Sequence, residues 1–298
     1  MDINNTGRND SGQARGMLYL CATPIGNLGD ITMRVAQTLA EVDMIAAEDT
    51  RVSLRLLNHL EIDTPLTSYH EHNKYEKADT LISMMMQGKN IALVTDAGTP
   101  AISDPGEVLV RRCHEEGITV TSLPGPAACI TALTLSGLST RRFVFEGFLP
   151  YDKKERSEVL DSLKDEHRTI VMYEAPHHLK GTLIELQKAL GNRKMTVCRE
   201  LTKKFETVIP TTLDDAVDMY QAEEPRGEYV LVIEGIDPGE IRAARIRQWE
   251  DMSLADHMDL YLSQGMDRKE AMKKVASDRG VSKREIYQKL LDGGIVRC

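Results

Sequence analysis

From Met17 onward, short apolar runs rich in β-forming residues alternate with longer amphipathic stretches. MLYLCA (17–22), MIAAE (44–48), TPLTSYH (64–70), NIALVT (90–95) and ITVTSL (118–123) read as strands, and the stretch from about Ile31 to Ala40 carries the spacing of a helix. Helical stretches close at Gly88 and Gly117, where glycine suits the left-handed conformation that caps a helix. This alternation predicts an α/β fold whose first domain, residues 17–142, is a mainly parallel sheet covered by helices.

FVFEGFLP (143–150) opens a second domain over 143–239, with strands at TIVMYEA (169–175), MTVCREL (195–201), KFETVIP (204–210) and EYVLVIEG (228–235). Three of these four are expected to follow one another with little or no helix between them, which points to a mixed, more antiparallel sheet. Residues 240–298 change character. Ser253 can cap a helix ending at Gly265, Asp267 with Glu270 forms a capping box for a second that stops near Gly280, and Ser282 with Glu285 opens a third through Leu291. The segment VASDRGVSKREIYQKL (275–290) has the order of a helix-turn-helix, although a small packing bundle would read similarly. Charge favours the former. Of the net −9, residues 240–298 carry +2 and the rest −11, and Lys283, Arg284 and Lys289 fall on the last helix, where phosphates would be met.

Composition mainly excludes. With 41% hydrophobic and 28% charged residues, the 298-residue chain is globular, and no apolar run approaches the ~20 residues of a membrane-spanning helix. Residues 1–16 lack the apolar core of a signal peptide and read as a disordered tail, so a cytoplasmic location without membrane attachment is expected. Cys21, Cys113, Cys129, Cys198 and Cys298 are scattered, with no CxxC pair, and suggest neither a disulfide framework nor a thiolate metal site.

Three loops after predicted strands have unusual backbone chemistry. ATPIGNLGD (22–30) has the glycines and proline of a tight turn that brings amides to a ligand, but it lacks the GxGxxG pattern and any phosphate-cradling lysine. VTDAGTPAISDPG (94–106) packs two Asp, two Gly and two Pro into thirteen residues, too specialised for a mere connector. LPGPAACITAL (123–133) runs Pro-Gly-Pro into small residues that leave room for a flat ligand on the backbone. Open α/β sheets bind ligands at such strand ends.

This trio resembles the loops of the tetrapyrrole methylases, S-adenosylmethionine-dependent enzymes with two α/β domains and the cofactor folded between them. AEDTR (47–51), SYHEHN (68–73), MYEAPHH (172–178), CRELTK (198–203) and RGEYVLVIEG (226–235) extend the likeness to the bacterial branch that methylates the ribose 2′-hydroxyl of a cytidine in small-subunit ribosomal RNA. The resemblance runs from about Met17 to the end, terminal helix-turn-helix included. It implies a two-domain tetrapyrrole-methylase-like fold, S-adenosylmethionine as cofactor, small-subunit ribosomal RNA or the ribosomal subunit as partner, and a homodimer. It also implies that Pro24, Asp96, Gly98, Thr99, Ile102, Ala127 and Ala128 lie near the cofactor, with Tyr173 and Arg226 to Tyr229, Glu228 among them, closing from the second domain. The family's Gly-Asp-Pro loop reads Gly98-Thr99-Pro100 here, which weakens any transfer of corrinoid or porphyrin chemistry.

Methylating a hydroxyl requires the oxygen held in line with a sulfonium methyl, a group to take up its proton, and groups that hold phosphate; positioning supplies much of the rate and no metal is needed. Glu48, Asp49, Arg51, His70, Glu71, His72 and Asn73 are suitable side chains at predicted strand ends, and Asp49, Arg51, His70, Glu71 and Asn73 are the candidate catalytic residues. Blander readings stand beside them. His70 and His72 with Glu71 could hold a metal, though without further ligands, and Asp49 with Arg51 could be a structural pair. His177 and His178 read as capping and packing residues, Met84 to Met86 as helix packing. Lys203 and Lys204 read as phosphate ligands or solvated charges, and Tyr69 and Tyr75 as platforms for a splayed base. Two rival functions remain: a small-molecule tetrapyrrole methylase and a non-enzymatic nucleic-acid-binding sensor.

Overall fold

A computed structural model of the chain describes residues 15–292, so most of the expected N-terminal tail, and Cys298, lie outside the described residues. The chain divides into two compact units, one formed by residues up to 163 with 168–234, the other by 164–167 with 235 onward.

In the first unit the chain runs β1 (Met17–Cys21), α1 (Met33–Glu41), β2 (Met44–Ala47), α2 (Thr50–His59), β3 (Leu66–Ser68), α3 (Lys74–Met86), β4 (Ile91–Val94), α4 (Gly106–Glu115), β5 (Thr119–Leu123) and α5 (Ala128–Leu135). The five strands pair in parallel in the order β3-β2-β4-β1-β5. β4 is buried on both faces, because alternate residues serve two cores: Ile91 and Leu93 pack with Leu81, Met85 and Leu109, while Ala92 and Val94 pack with Val35, Leu39 and Leu57. Each Ile, Leu, Val or Met among them withdrawn from water contributes on the order of 1.5–3 kcal/mol.

The same unit continues through β6 (Phe143–Gly147), α6 (Lys153–Leu163), β7 (Thr169–Glu174), α7 (Pro176–Leu190), β8 (Lys194–Arg199), β9 (Thr207–Thr212), α8 (Leu213–Ala222) and β10 (Tyr229–Ile233). The second sheet has the order β6-β7-β10-β8-β9, with β6 and β7 parallel and the remaining pairs antiparallel. The mixed sheet expected from sequence is present, but the reason given for it is not. The 15-residue α7 separates β7 from β8, and α8 separates β9 from β10; only β8 and β9 follow one another without a helix and pair antiparallel, while the other two antiparallel pairs arise because β10 inserts between β7 and β8.

Side-chain alternation again serves two faces. Ile170, Met172, Leu231 and Ile233 pack among α6, α7 and α8, whereas Val171, Cys198, Val230 and Val232 pack on Cys129, Ala132 and Leu133 of α5. Helix α5 therefore follows the first sheet in sequence but buries its apolar side on the second.

The second unit holds α9 (Pro238–Arg247), α10 (Leu254–Ser263), α11 (Arg268–Asp278) and α12 (Lys283–Asp292). The three capping devices read from sequence are in place. Ser253 Oγ accepts from Asp256 N at 3.1 Å, Asp267 Oδ1 from Glu270 N at 2.8 Å, and Ser282 and Glu285 bond reciprocally at 3.2 and 3.3 Å. Helix α9 is a fourth helix that the sequence reading passed over; it starts at Pro238, whose missing N–H costs nothing in a first turn. Met258, Tyr261, Val275, Ile286 and Leu290 form this unit's core. His257 is wholly buried beside it, stacked on Trp249 at 4.1 Å, with Nδ1 accepting from Arg279 Nε at 3.1 Å and Nε2 3.4 Å from Asp278. Burial, and then the Arg279 charge, lower its pKa. Among the described residues no helix is long and apolar enough to cross a membrane.

Candidate active site

The three unusual loops leave the carboxyl ends of β1, β4 and β5 and are bonded to one another. Thr23 and Gly98 exchange backbone hydrogen bonds of 2.9 and 3.1 Å, and the Thr23 hydroxyl donates to Thr95 O at 3.1 Å. The Thr99 hydroxyl donates to Pro126 O at 2.9 Å, so the threonine that replaces the family's aspartate fastens the second loop to the third. Gly125 lies against the end of β1 so closely that a Cβ there would stand 2.7 Å from that of Ala22. Within the second loop, Asp104 Oδ1 accepts from the amides of Ala101 and Gly106, both at 2.8 Å. Ala101 and Ser103 take φ of +68° and +62°, a left-handed geometry costing a non-glycine residue on the order of 1–3 kcal/mol, which those bonds offset.

The loops wall a cavity of about 480 Å³, a size suited to a cofactor. Asp96, Gly98, Thr99, Ile102, Ala127 and Ala128 line it from the first sheet's side, and Tyr173 and Glu228 from the second. Pro24 is not in the wall, although its neighbour Ile25 is. Glu48, Asp104, Phe148 and Glu174 also line it without having been assigned to it from sequence. Glu48, Asp96, Asp104, Glu174 and Glu228 are thus among lining residues that include no Lys, Arg or His, although the Glu174 carboxylate is bonded to Thr182 of α7 and that of Glu228 is paired with Lys203.

Glu48 Oε2 accepts from the Thr95 hydroxyl at 2.6 Å, and Asp96 Oδ1 accepts from Asp49 N at 3.0 Å. Burial, and then the neighbouring Glu48 charge, raise the pKa of Asp96, making it a stronger proton acceptor than an ordinary carboxylate. Burial also raises Asp104, whose Oδ2 is buried with no partner among the described residues. The Tyr173 hydroxyl accepts from Cys129 N at 3.2 Å, and its ring meets Phe145 edge-on at 4.9 Å and Phe148 at 5.5 Å. Glu174 is held by Ala175 N at 2.8 Å and the Thr182 hydroxyl at 2.5 Å. Lys203 bonds Glu200 at 3.0 Å and Glu228 at 2.8 Å while its stem covers Gly26, so it braces the cavity wall and is not a loose phosphate ligand.

The other polar candidates stand outside the cavity lining. Asp49 caps α2, accepting from Arg51 N at 2.8 Å, and its carboxylate is gripped by the Arg51 guanidinium at 2.6 Å; this pairing holds Asp49 down at about 2. Arg51 itself is 88% exposed. Asn73 uses both ends of its amide to close the turn after β3, accepting from His70 N at 2.8 Å and donating to Ser68 Oγ at 3.2 Å. His70 Nδ1 is buried without a partner among the described residues, its ring 6.0 Å from that of His72. Glu71 pairs with Lys74 at 2.5 Å. Tyr69 is not a stacking platform: it is buried, and its hydroxyl donates to Pro105 O at 3.1 Å, whereas Tyr75 is exposed. Among the described residues, no group of three or more His, Cys, Asp or Glu side chains is gathered for a metal ion.

Residues 17–217 match the family model described as tetrapyrrole (corrin/porphyrin) methylases. A protein of Halalkalibacterium halodurans named ribosomal RNA small subunit methyltransferase I is 48% identical over 92% of this chain and 94% of its own length. The Bacillus subtilis protein of the same name is 47% identical over 91% and 93%. Among solved structures, a cobalt precorrin-4 methyltransferase of cobalamin biosynthesis superposes with a TM-score of 0.55 at 20% identity, covering 73% of this chain and 94% of that one; that likeness speaks to fold alone.

Proposed function

The chain belongs to the tetrapyrrole methylase family, in the branch of the ribosomal RNA small subunit methyltransferase I proteins, and from that premise we propose its reaction. It transfers a methyl group from S-adenosylmethionine to the ribose 2′-hydroxyl of a cytidine in small-subunit (16S) ribosomal RNA. The observation that carries this reading is the cavity at the strand ends. Its lining includes Glu48, Asp96 and Asp104 and no Lys, Arg or His, and Lys203 behind the wall is paired with Glu200 and Glu228, which suits a ligand bearing a sulfonium and an ammonium and disfavours free polyphosphates.

S-adenosylmethionine supplies a methyl group on a positively charged sulfur, a good leaving group that needs no metal. The chain's own residues hold and orient it. Gly98, Thr99, Ala127 and Ala128 offer close-approaching backbone, Ile102 and Tyr173 offer apolar walls, and Asp96 and Glu228 offer charge; Pro24 keeps the first loop rigid beside them. Asp49, Arg51, His70, Glu71 and Asn73 serve the RNA side, Arg51 as the exposed cation for phosphate and Asn73 by fixing the turn that carries His70 and Glu71. The basic surface of α12 adds phosphate contacts, so residues 240–298 act as an RNA-binding appendage to the cofactor-binding domains 17–142 and 143–239. We further infer a cytoplasmic homodimer, which light scattering tests: a mass of twice 33.3 kDa is expected, and a monomer at working concentration rejects it.

The deciding experiment incubates the purified protein with methyl-labelled S-adenosylmethionine and small ribosomal subunits, then digests the RNA to nucleosides. Label in 2′-O-methylcytidine is expected. Label on a base, on a tetrapyrrole only, or nowhere overturns the proposal, the last outcome favouring a sensor.

A further inference from the structure

Helix α7 starts at Pro176 with Ala175 as its N-cap and no side-chain cap bond, so His177 and His178 do not cap it as the sequence suggested. Both are exposed, with ring centroids 4.1 Å apart. The Tyr151 ring meets His178 edge-on at 5.5 Å and is itself 84% exposed. Phe148, three residues before, is 54% exposed and touches Tyr173 inside the cavity wall. Phe148, Ala175 and Pro176 all line the cavity, so the segments that carry these rings run from its wall straight onto the surface. Tyr151, His178 and His177 thus form a run of exposed rings, with exposed Phe148 three residues ahead of Tyr151 at the cavity wall, and these rings serve no core. Exposed Lys153 and Lys154 stand in the next turn, on α6.

We propose that Phe148, Tyr151, His177 and His178 form a stacking shelf for the bases of single-stranded RNA, which holds the target nucleotide out of its own stack so that its ribose reaches the cavity mouth. Flat rings with polar edges accept any base face, and the two lysines meet the phosphates between stacked nucleotides. Aromatic rings are common in protein interfaces as well, but lysines are depleted there, and here exposed Lys153 and Lys154 follow the rings directly, which favours RNA. The inference rests on the RNA-methylating reading above and names where the RNA lies.

The test compares the full-length protein with Tyr151→Ala, Tyr151→Ala/His178→Ala and Tyr151→Phe. Four quantities are read: the KM for small ribosomal subunits, the Kd for S-adenosylmethionine, the melting temperature, and the quenching of a single-stranded oligoribonucleotide carrying 2-aminopurine. Losing a stacked ring is expected to raise KM by about tenfold. Cofactor affinity and melting temperature should stay as in the parent, quenching should fall, and Tyr151→Phe, which keeps the ring, should recover most of the loss. Unchanged KM and quenching in the double variant overturn the shelf, as do a melting temperature that falls in step with KM or a change of oligomeric mass in Tyr151→Ala. If the parent protein itself fails to methylate RNA, the reaction assigned above is wrong, and the quenching experiment still decides whether bases stack here.

Discussion

Gly125→Ala gives the sharpest test of how the cavity is built. The added Cβ would lie 2.7 Å from the Cβ of Ala22, whereas carbon atoms rest at about 3.5–4.0 Å, so the third loop must retreat by about 1 Å. Ala22 is fully buried and cannot yield by swinging outward. Overpacking of this kind costs about 1–3 kcal/mol, and a unit of this size loses roughly 2–4 °C of melting temperature per kcal/mol. The same retreat pulls Pro126 O from the Thr99 hydroxyl and displaces Ala127 and Ala128 in the cavity wall, so S-adenosylmethionine binding measured by calorimetry should weaken by about tenfold or more. The control is the exchange of the two residues. In Ala22→Gly/Gly125→Ala the nearest atoms to the new methyl become Ala22 O at 3.7 Å and Ala22 Cα at 3.8 Å, ordinary contacts. The double variant should therefore regain most of the affinity, less about 0.5–1 kcal/mol of stability for the new glycine. A single variant that melts and binds like the parent, or a double variant no better than the single, would refute the tight seating of this loop.

Three further outcomes follow from the geometry. Arg51→Ala and Glu71→Ala, both outside the cavity lining, should leave the Kd for S-adenosylmethionine within a few-fold while methyl transfer falls on the order of a hundredfold; loss of cofactor binding in both would mean that these segments belong to the cofactor site. His257 has a lowered pKa in the fold, so the unfolded chain takes up its proton first. The stability this contributes is present above about 6.5 and is lost as pH drops below it, so the helical second unit should melt lower at about pH 5.5 than at about pH 7.5, and equal melting would contradict its neutral burial between Trp249, Arg279 and Asp278. Replacing Lys283, Arg284 and Lys289 together by alanine should weaken RNA binding and flatten its dependence on salt, and a salt slope equal to the parent's would remove α12 from the interface.

The parts of this fold legible in the sequence are those set by neighbours along the chain. Short apolar, β-forming runs marked all ten strands, and Ser253, Asp267 and Ser282 marked three helix starts through caps that span three residues. The place of the cavity was legible because three Gly- and Pro-rich loops follow neighbouring strands, and its individual lining residues came with the family resemblance. What escaped depends on contacts distant in sequence. Tyr69 sits in a polar run, yet its ring belongs to the core, where Pro105 O, far along the chain, accepts a hydrogen bond from its hydroxyl. Lys203 reads in sequence as a phosphate ligand or a solvated charge, yet Glu228, just ahead of β10, pairs with it. Glu48 joins the cavity lining because it follows β2, whose pairing with β4 brings it to the Thr95 hydroxyl at the end of the neighbouring strand.

Helix α5 limits how this protein can be recombined. Its residues belong by position to the first half of the chain, but Cys129, Ala132 and Leu133 are seated on Val171, Val230 and Val232 of the second. A chimera joined at residue 142 would inherit the helix from one parent and its seat from the other, and any mismatch in those few side chains would tilt the helix and, through Ala127 and Ala128 at its start, deform the cavity wall. A junction placed ahead of the Pro-Gly-Pro loop, at about residue 123, keeps helix and seat from the same parent, so exchange between relatives should succeed there and fail some twenty residues later.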